Sequence, residues 1–306
     1  MKSQRRDQVI DPEVVAGLVE RSDAAGLFRL CQHIAALVAL AGLATLLPKS
    51  VGWIPALGYG IVLIFSFCPL HEAIHGSAFK TRIINRLVAD LFGLVLLLPP
   101  RYFNVFHMTH HRYTQLAEKD PELLSAKPAT VGQYLWHVSG GRYWKAQTVS
   151  LIGYSLGRVD DFVPAARRPQ LITEARLFLL VYALITLWSV VNQNLVFWWY
   201  WLLPVAVGQP FLRFFLLAEH TGCAQVADMF DNTRTTQTNP VMQWLCWNMN
   251  FHTAHHAYAG VPFFRLPETN KLIEARLQHV GHGYCKVNRK IAREICNQSA
   301  QKASPN

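Results

Sequence analysis

The sequence predicts an all-α membrane protein: four transmembrane helices paired as two hairpins, an interfacial helix, and the remaining polar chain on one membrane face. Three observations predict this: long apolar stretches, a lopsided placement of Lys and Arg, and short histidine clusters at the ends of those stretches. Hydrophobic residues make up 51% of the 306 positions and charged residues 16%, against roughly 25% charged in soluble domains. Mean hydropathy is only +0.15, so the apolar segments are diluted by a substantial polar portion.

Residues 1–24 form a polar segment carrying Arg5 and Arg6. Met1 to Asp23 shows neither the apolar core nor the small-residue cleavage site of a signal peptide. Residues 25–280 form the membrane domain. Leu27 to Leu47 and Trp53 to Leu70 flank a Pro48-Lys49-Ser50 turn, and Ala175 to Val191 and Leu195 to Ala218 flank Asn192-Gln193-Asn194. Each of the four reaches the ~17–20 apolar residues a spanning helix needs, so they read as two tight helical hairpins. Pro204, Gly208 and Pro210 predict a kink or local unwinding in the last. Residues 281–306 form a basic tail, and the chain beyond Leu277 is expected to be partly disordered.

The stretch Ile84 to Leu98 is shorter, is interrupted by Arg86 and Asp90, and ends at Pro99-Pro100. It separates the first two histidine clusters. If those clusters share a site, a single crossing would place them on opposite faces, so the stretch reads as interfacial or re-entrant. Charge placement agrees. The outer loops, Pro48 to Gly52 and Asn192 to Asn194, contain one basic residue, Lys49. The other Lys and Arg lie on the opposite side, which places both termini and all three clusters in the cytoplasm. The net charge of +10 then suits anionic lipid headgroups, and nucleic acid is not an expected partner because no recognition module accompanies it. Tyr134, Trp136, Tyr143 and Trp144, within Gln133 to Lys145, suit either the headgroup layer or packing of a soluble part. The six cysteines are scattered without a C-x-x-C pair, so they read as reduced, mostly buried thiols.

The chemistry lies in the histidines. His71 and His75 flank Glu72 in H-E-x-x-H; His107, His110 and His111 form H-x-x-H-H; His252, His255 and His256 repeat that spacing. Residues three and four apart share a helix face, so each cluster is expected to aim its imidazoles in one direction. His220 follows the last apolar stretch and is the ninth candidate ligand. His33 reads as structural, and His137, His279 and His282 as solvated or structural. Nine imidazoles are too many for one metal ion of about four protein ligands, so they fit two ions with four or five each. Imidazole alone suits Fe, Zn, Cu or Ni. Glu72, Asp120, Glu122 and Glu219 could orient imidazoles through their free N–H groups; for Asp120 and Glu122 a surface role is equally open. Arg213 could orient an anionic head group, pair with a carboxylate such as Asp90, or extend its charge to the interface. Arg234 could do the same or stabilise its loop.

The clusters, separated by membrane hairpins, resemble the integral-membrane fatty acid desaturase superfamily, in particular its bacterial members. The stretches HEAIHGSAF at 71–79, HMTHHRYTQ at 107–115 followed by Asp120-Pro121-Glu122, and NMNFHTAHHAYAGVPFFRLP at 248–267 carry the resemblance. It implies a four-span bundle under a cytoplasmic helical cap holding a di-metal site. It also implies two non-haem irons, O2 as co-substrate, and a membrane lipid or acyl substrate. Electrons would come from an external carrier, ferredoxin or cytochrome b5-like, with its reductase, because the chain shows no fused haem motif. Iron ligation is implied for His71, His75, His107, His110, His111, His252, His255 and His256, with His220 similar to the superfamily's additional ligand. Departures are Ala254, where many acyl-lipid desaturases carry an acidic residue, and Ala257-Tyr258-Ala259-Gly260, where a Pro is common. Neither removes a ligand.

The expected function is therefore oxidation of an acyl chain to a double bond. Alternatives are a hydroxylase or ketolase with the same histidines, or an enzyme acting on a small amino-acid-like or carrier-linked metabolite. An intramembrane zinc protease using Glu72 as base would leave most of the histidines unexplained. A metal transporter would place them along a path through the bilayer, whereas here they gather on one face.

Overall fold

A computed structural model describes residues 9–303; the Arg5 and Arg6 pair lies outside the described residues. The chain is mostly helical, and four helical segments are long and apolar enough to cross a membrane: Asp23–Leu46, Lys49–His75, Ala165–Val191 and Trp198–His220. A short helix α1 (Pro12–Leu18) precedes α2 (Asp23–Leu46), which starts where Ser22 Oγ accepts from Ala25 N at 3.2 Å. At 1.5 Å per residue its 24 residues extend about 36 Å, enough for a hydrocarbon layer of about 30 Å. Phe28, Val38 and Leu46 point outward at 68%, 67% and 84% exposure. Such a surface would be an aggregation-prone patch in water, but lipid solvates it.

The second span is α3 (Lys49–Ile64) followed by α4 (Phe67–His75), broken at Phe65–Ser66. The break is held from α2, where His33 Nε2 lies 3.2 Å from Ser66 Oγ, with His33 fully buried and stacked on Trp244. The helix α10 (Leu203–His220) packs on α3, and α3 on α2. The closest approach in the first of these contacts is between glycines: a Cβ on Gly208 would sit 2.2 Å from Gly60 O, and one on Gly60 2.8 Å from Pro204 O. Without hydrophobic drive between helices in lipid, such backbone proximity is what gains van der Waals contact.

The unwinding expected in the last span occurs at its N-terminal start, as a π-helical turn at Trp198–Leu202; α10 then continues through Pro210. Pro204 has no N–H to offer the Tyr200 carbonyl four residues earlier. The Tyr59 hydroxyl of α3 donates to that carbonyl instead, at 2.8 Å. The other member of the predicted second hairpin, α9 (Arg168–Val191), packs on α6 (Pro100–Tyr113) and α8 (Gly141–Ser155) more than on α10.

The short apolar stretch forms α5 (Arg82–Val95), which meets α6 at a bend of 102°. Both ends of this pair return to one place, since His71 of α4 and His107 of α6 touch through their ring nitrogens. This agrees with the interfacial or re-entrant reading in that the first two clusters meet. A bend among apolar helices exposes backbone groups that lipid cannot satisfy, and here five of them are met by side chains. Tyr182 Oη of α9 donates to Leu94 O at 3.0 Å, Trp201 Nε1 to Val95 O at 2.6 Å, and Gln147 Nε2 of α8 to Leu97 O at 2.8 Å. On the far side of the bend, the Glu174 carboxylate accepts from the backbone N–H groups of Arg101 and Tyr102, each at 3.0 Å. Gly93 belongs to the same device, because a Cβ there would lie 2.8 Å from Leu98 O.

The aromatic stretch lies on α7 (Val131–Val138) and on α8. Tyr134 and Trp144 pack against the core, whereas Trp136 is exposed. After α10 come α11 (Met229–Asn232), β1 (Thr235–Gln237), α12 (Pro240–Leu245), α13 (His252–Ala257), α14 (Leu266–Leu272), β2 (Val280–His282) and α15 (Tyr284–Ala303). The strands pair in parallel, Thr235 opposite Val280. The expectation of a partly disordered tail is corrected: residues 284–303 are helical. Tyr284, Val287, Ile291 and Ile295 form a buried stripe at helical spacing, and Asn288 Nδ2 donates to Phe214 O of α10 at 2.9 Å. Lys286, Arg289, Lys290 and Arg293 occupy the opposite, exposed face. The cysteines are likewise less buried than expected. None is in a disulfide; Cys68 and Cys246 are buried, but Cys31, Cys285 and Cys296 are exposed.

Glu174→Ala leaves two backbone N–H groups at the bend without acceptors, so it should cost about 2–4 kcal/mol of stability, with Glu174→Gln costing about half as much. Denaturant unfolding of the purified protein in detergent measures both, and a loss under about 0.5 kcal/mol would refute this account of the bend.

Candidate metal centre

Four helices deliver the nine histidines. The end of α4 carries His71 and His75; α6 carries His107, His110 and His111; α13 carries His252, His255 and His256; His220 is the last residue of α10. They do not form a single cluster. His71, His75, His107, His111 and His255 form one group whose ligand atoms all lie within 4.8 Å of one another, and His110, His220 and His256 form a second. His252 joins the second group, its Nε2 3.1 Å from that of His220 and 3.0 Å from that of His256. In the first group, His107 Nε2 lies 2.6 Å from His71 Nε2 and 3.0 Å from His111 Nε2. The groups adjoin where the rings of His111 and His256 stack at 4.2 Å.

This arrangement corrects the expectation that each cluster aims in one direction. Neighbouring helix residues project about 100° apart, so His110 and His111 cannot follow His107 together. In the second cluster, His107 and His111 enter the first group and His110 the second. In the third, His252 and His256 enter the second group and His255 the first. The repeated H-x-x-H-H spacing thus feeds both groups from each helix, in opposite proportions.

The hydrogen bonds behind the rings determine which nitrogen faces inward. His110 Nδ1 donates to Asp120 Oδ1 at 2.9 Å, and His220 Nδ1 donates to the Asn232 carbonyl at 3.0 Å. Thr114 Oγ1 donates to His110 O, so at 3.2 Å it accepts from His256 Nδ1. His252 Nδ1 faces Glu219 Oε1 at 3.4 Å. Three of the four rings in the second group, His110, His220 and His256, are therefore hydrogen-bonded through Nδ1, whereas His252 Nδ1 is buried without a hydrogen-bond partner. In the first group, Nδ1 of His71, His111 and His255 and Nε2 of His75 are likewise buried without a partner.

Burial, reinforced by neighbouring imidazoles, holds His107, His111, His252, His255 and His256 well below the ordinary imidazole range. His110 is the exception: burial pushes it down, but Glu122 and Asp120 outweigh that and raise it. Neutral rings whose lone pairs converge have no proton to share among them, and a cation resolves that conflict. Ligands about 2.1 Å from one metal at right angles would stand about 3 Å apart, close to the separations here. The donor set fits transition metal in both groups.

Of the carboxylates, Asp120 is fully buried behind His110 and also accepts from Gln115 N at 2.7 Å, whereas Glu122 is partly exposed and 3.8 Å from the ring. Glu219 Oε1 faces His252 Nδ1 without hydrogen-bonding it. Glu72 does not orient an imidazole: its carboxylate accepts from Ser77 Oγ at 2.9 Å and from Phe263 N at 3.2 Å, tying the first cluster to the segment after the third. That geometry does not suit a protease base. Arg213 sits over the Tyr143 ring at 4.4 Å, while Asp90 is near Arg86 and Arg101. Arg234 reaches the carbonyls of Ala218 and Thr221, which stabilises the end of α10. His33, His137, His279 and His282 lie outside both groups. Thr114 and Asn232 are supporting residues that sequence reasoning missed. Thr114 could have been found, because it lies one helical turn beyond His110.

Comparison with known proteins is consistent with this geometry. The model of the fatty acid desaturase family matches residues 48–288. Two proteins named sn-1 oleoyl-lipid 12-desaturase, from Picosynechococcus sp. and Synechocystis sp., are each 25% identical over 68% of this chain and 64% of their own length. The chain thus spans a little under two thirds of the curated relatives it matches.

Asp120→Ala should weaken metal retention about 10–100-fold, measured by metal analysis after dialysis against a chelator. Glu122→Ala should retain metal within about twofold, as expected for an exposed charge. Equal losses would show that the buried bond is not what orients His110.

Proposed function

The chain belongs to the fatty acid desaturase family, and we propose that it is a membrane-bound oxidoreductase that introduces a double bond into an acyl chain of a membrane lipid, using O2 and electrons from an external carrier. The single observation that supports this best is the paired arrangement of five and four buried imidazoles at the ends of membrane helices. His71, His75, His107, His111 and His255 would hold one iron, and His110, His220, His252 and His256 the other. When bound, the metals supply oxidation of an unactivated C–H bond; the choice of bond depends on how the protein places the chain.

The residues described above position the imidazoles that would hold those metals. Asp120, Asn232 and Thr114 keep the Nδ1 protons of His110, His220 and His256 directed away from the centre, leaving Nε2 free to ligate. The dry surroundings exclude water from an oxidising site. Among the nine, only His75 is not fully buried, so substrate would approach from its side. An acyl chain can arrive laterally from lipid, since α2 and α9 present apolar side chains outward. We place the clusters, both termini and the helices α11 to α15 in the cytoplasm of a bacterial inner membrane, as a cap over the two predicted hairpins, because Lys49 is the one basic residue in the opposite turns. The names of the relatives support a lipid acyl chain as substrate. The carrier would be a ferredoxin or a cytochrome b5-like protein.

Purified protein should hold about two Fe per chain; zinc alone, with no iron-dependent oxidation, would refute the proposal. Expression in a host with a simple lipid profile should yield lipids lighter by one hydrogen pair. Lipids heavier by one oxygen would identify a hydroxylase, and a change confined to small metabolites would move the substrate out of the membrane. His110→Ala should abolish the product while leaving membrane insertion intact.

A further inference from the structure

Beside the metal centre lies a cavity of about 490 Å³ whose wall carries five arginines: Arg21, Arg82, Arg86, Arg101 and Arg167. The one acidic wall residue, Asp90, lies 3.9 Å from both Arg86 and Arg101. Arg101 is bound more closely by Glu174, at 3.1 Å. Arg21, Arg82 and Arg167 have no acidic partner among the described residues; Arg167 bonds only Gln170. The cavity therefore keeps a positive excess. Its inner wall includes Ile74, His75 and Gly76, so it opens onto the least buried of the nine histidines.

The arginines stand just before α2, at the start of α5 and beside the start of α9, the level at which a membrane helix meets headgroups. A second cavity of about 410 Å³ shares Arg101 and Gln170 and continues along α9 past Thr173 to Leu177, which is 54% exposed on the apolar flank. A cationic chamber thus leads onto a lipid-facing groove. Guanidinium groups bind phosphate with paired N–H donors. A cationic recess continuous with an apolar flank suits a phosphate carrying an acyl chain better than a protein carrier, which has no use for the flank.

We infer that the arginine-lined cavity binds the phosphate of an anionic glycerophospholipid, one acyl chain of which lies along α9 while the other is left for the centre beside His75, and that such lipids are the substrate class. This rests on the desaturase reading, which places that face at the lipid interface.

The test is native mass spectrometry of the full chain in neutral detergent, offered equal amounts of dioleoyl phosphatidylglycerol and dioleoyl phosphatidylcholine. The expected result is one retained phosphatidylglycerol, preferred about tenfold or more, given about 1 kcal/mol per arginine near an anionic lipid. Arg82→Gln with Arg167→Gln should erase the preference. Arg289→Gln with Arg293→Gln, which removes equal charge from the exposed face of α15, should preserve it. Iron content measured on the same samples reports separately on the desaturase reading. Equal retention of both lipids would overturn the inference, as would equal effects of the two double variants. Ready displacement of the lipid by inorganic phosphate would assign the site to free phosphate. Retained lipid preference in Arg82→Gln with Arg167→Gln, but slowed reduction by an acidic electron carrier, would assign it to carrier docking.

Discussion

Ring nitrogens of His71 and His107 face each other across 2.6 Å in a dry interior, and the rest of the architecture depends on that crowding. Imidazoles brought this close are tolerable only if they converge on a cation and if their outer nitrogens are anchored or shielded. The four helices that supply them must therefore end at one point. The break at Phe65–Ser66, the glycine contact between α3 and α10 and the bend between α5 and α6 all serve that convergence.

The bend shows how a membrane domain tolerates irregular backbone. A re-entrant segment is excluded from lipid unless its freed carbonyls and N–H groups find protein partners. Tyr182, Trp201, Gln147 and Glu174 each come from a different stretch of chain or a different position on α9, so the bend also joins α8, α9 and the last span. The same accounting explains Tyr59, which takes over the carbonyl that Pro204 cannot serve.

Much of this was legible in sequence. Apolar run length located all four spans, three of them within about five residues and one with its start ten residues late, at Ala175 rather than Ala165, and the need to keep the first two clusters on one face set Ile84 to Leu98 apart as interfacial or re-entrant. The spacing singled out all nine histidines, but their division between the two groups follows the turn of the helix within each cluster and not a shared face. What escaped depends on partners distant in the chain. Arg213 stacks on Tyr143 rather than meeting Asp90, and Glu72 reaches Phe263, contacts that no local pattern encodes. The α15 helix was missed for another reason: Tyr284, Val287, Ile291 and Ile295 keep helical spacing, but the Lys and Arg between them lower the average and read as a solvated tail. The division of each H-x-x-H-H cluster was available in principle from the angle between His110 and His111.

That division has a consequence for how the centre tolerates change. Because α6 and α13 each serve both groups, in proportions of two to one and one to two, a shift of either helix displaces ring nitrogens in both groups at once. Neither group can be retuned alone: a core substitution that moves α6 or α13 to suit one set of imidazoles is felt by the other.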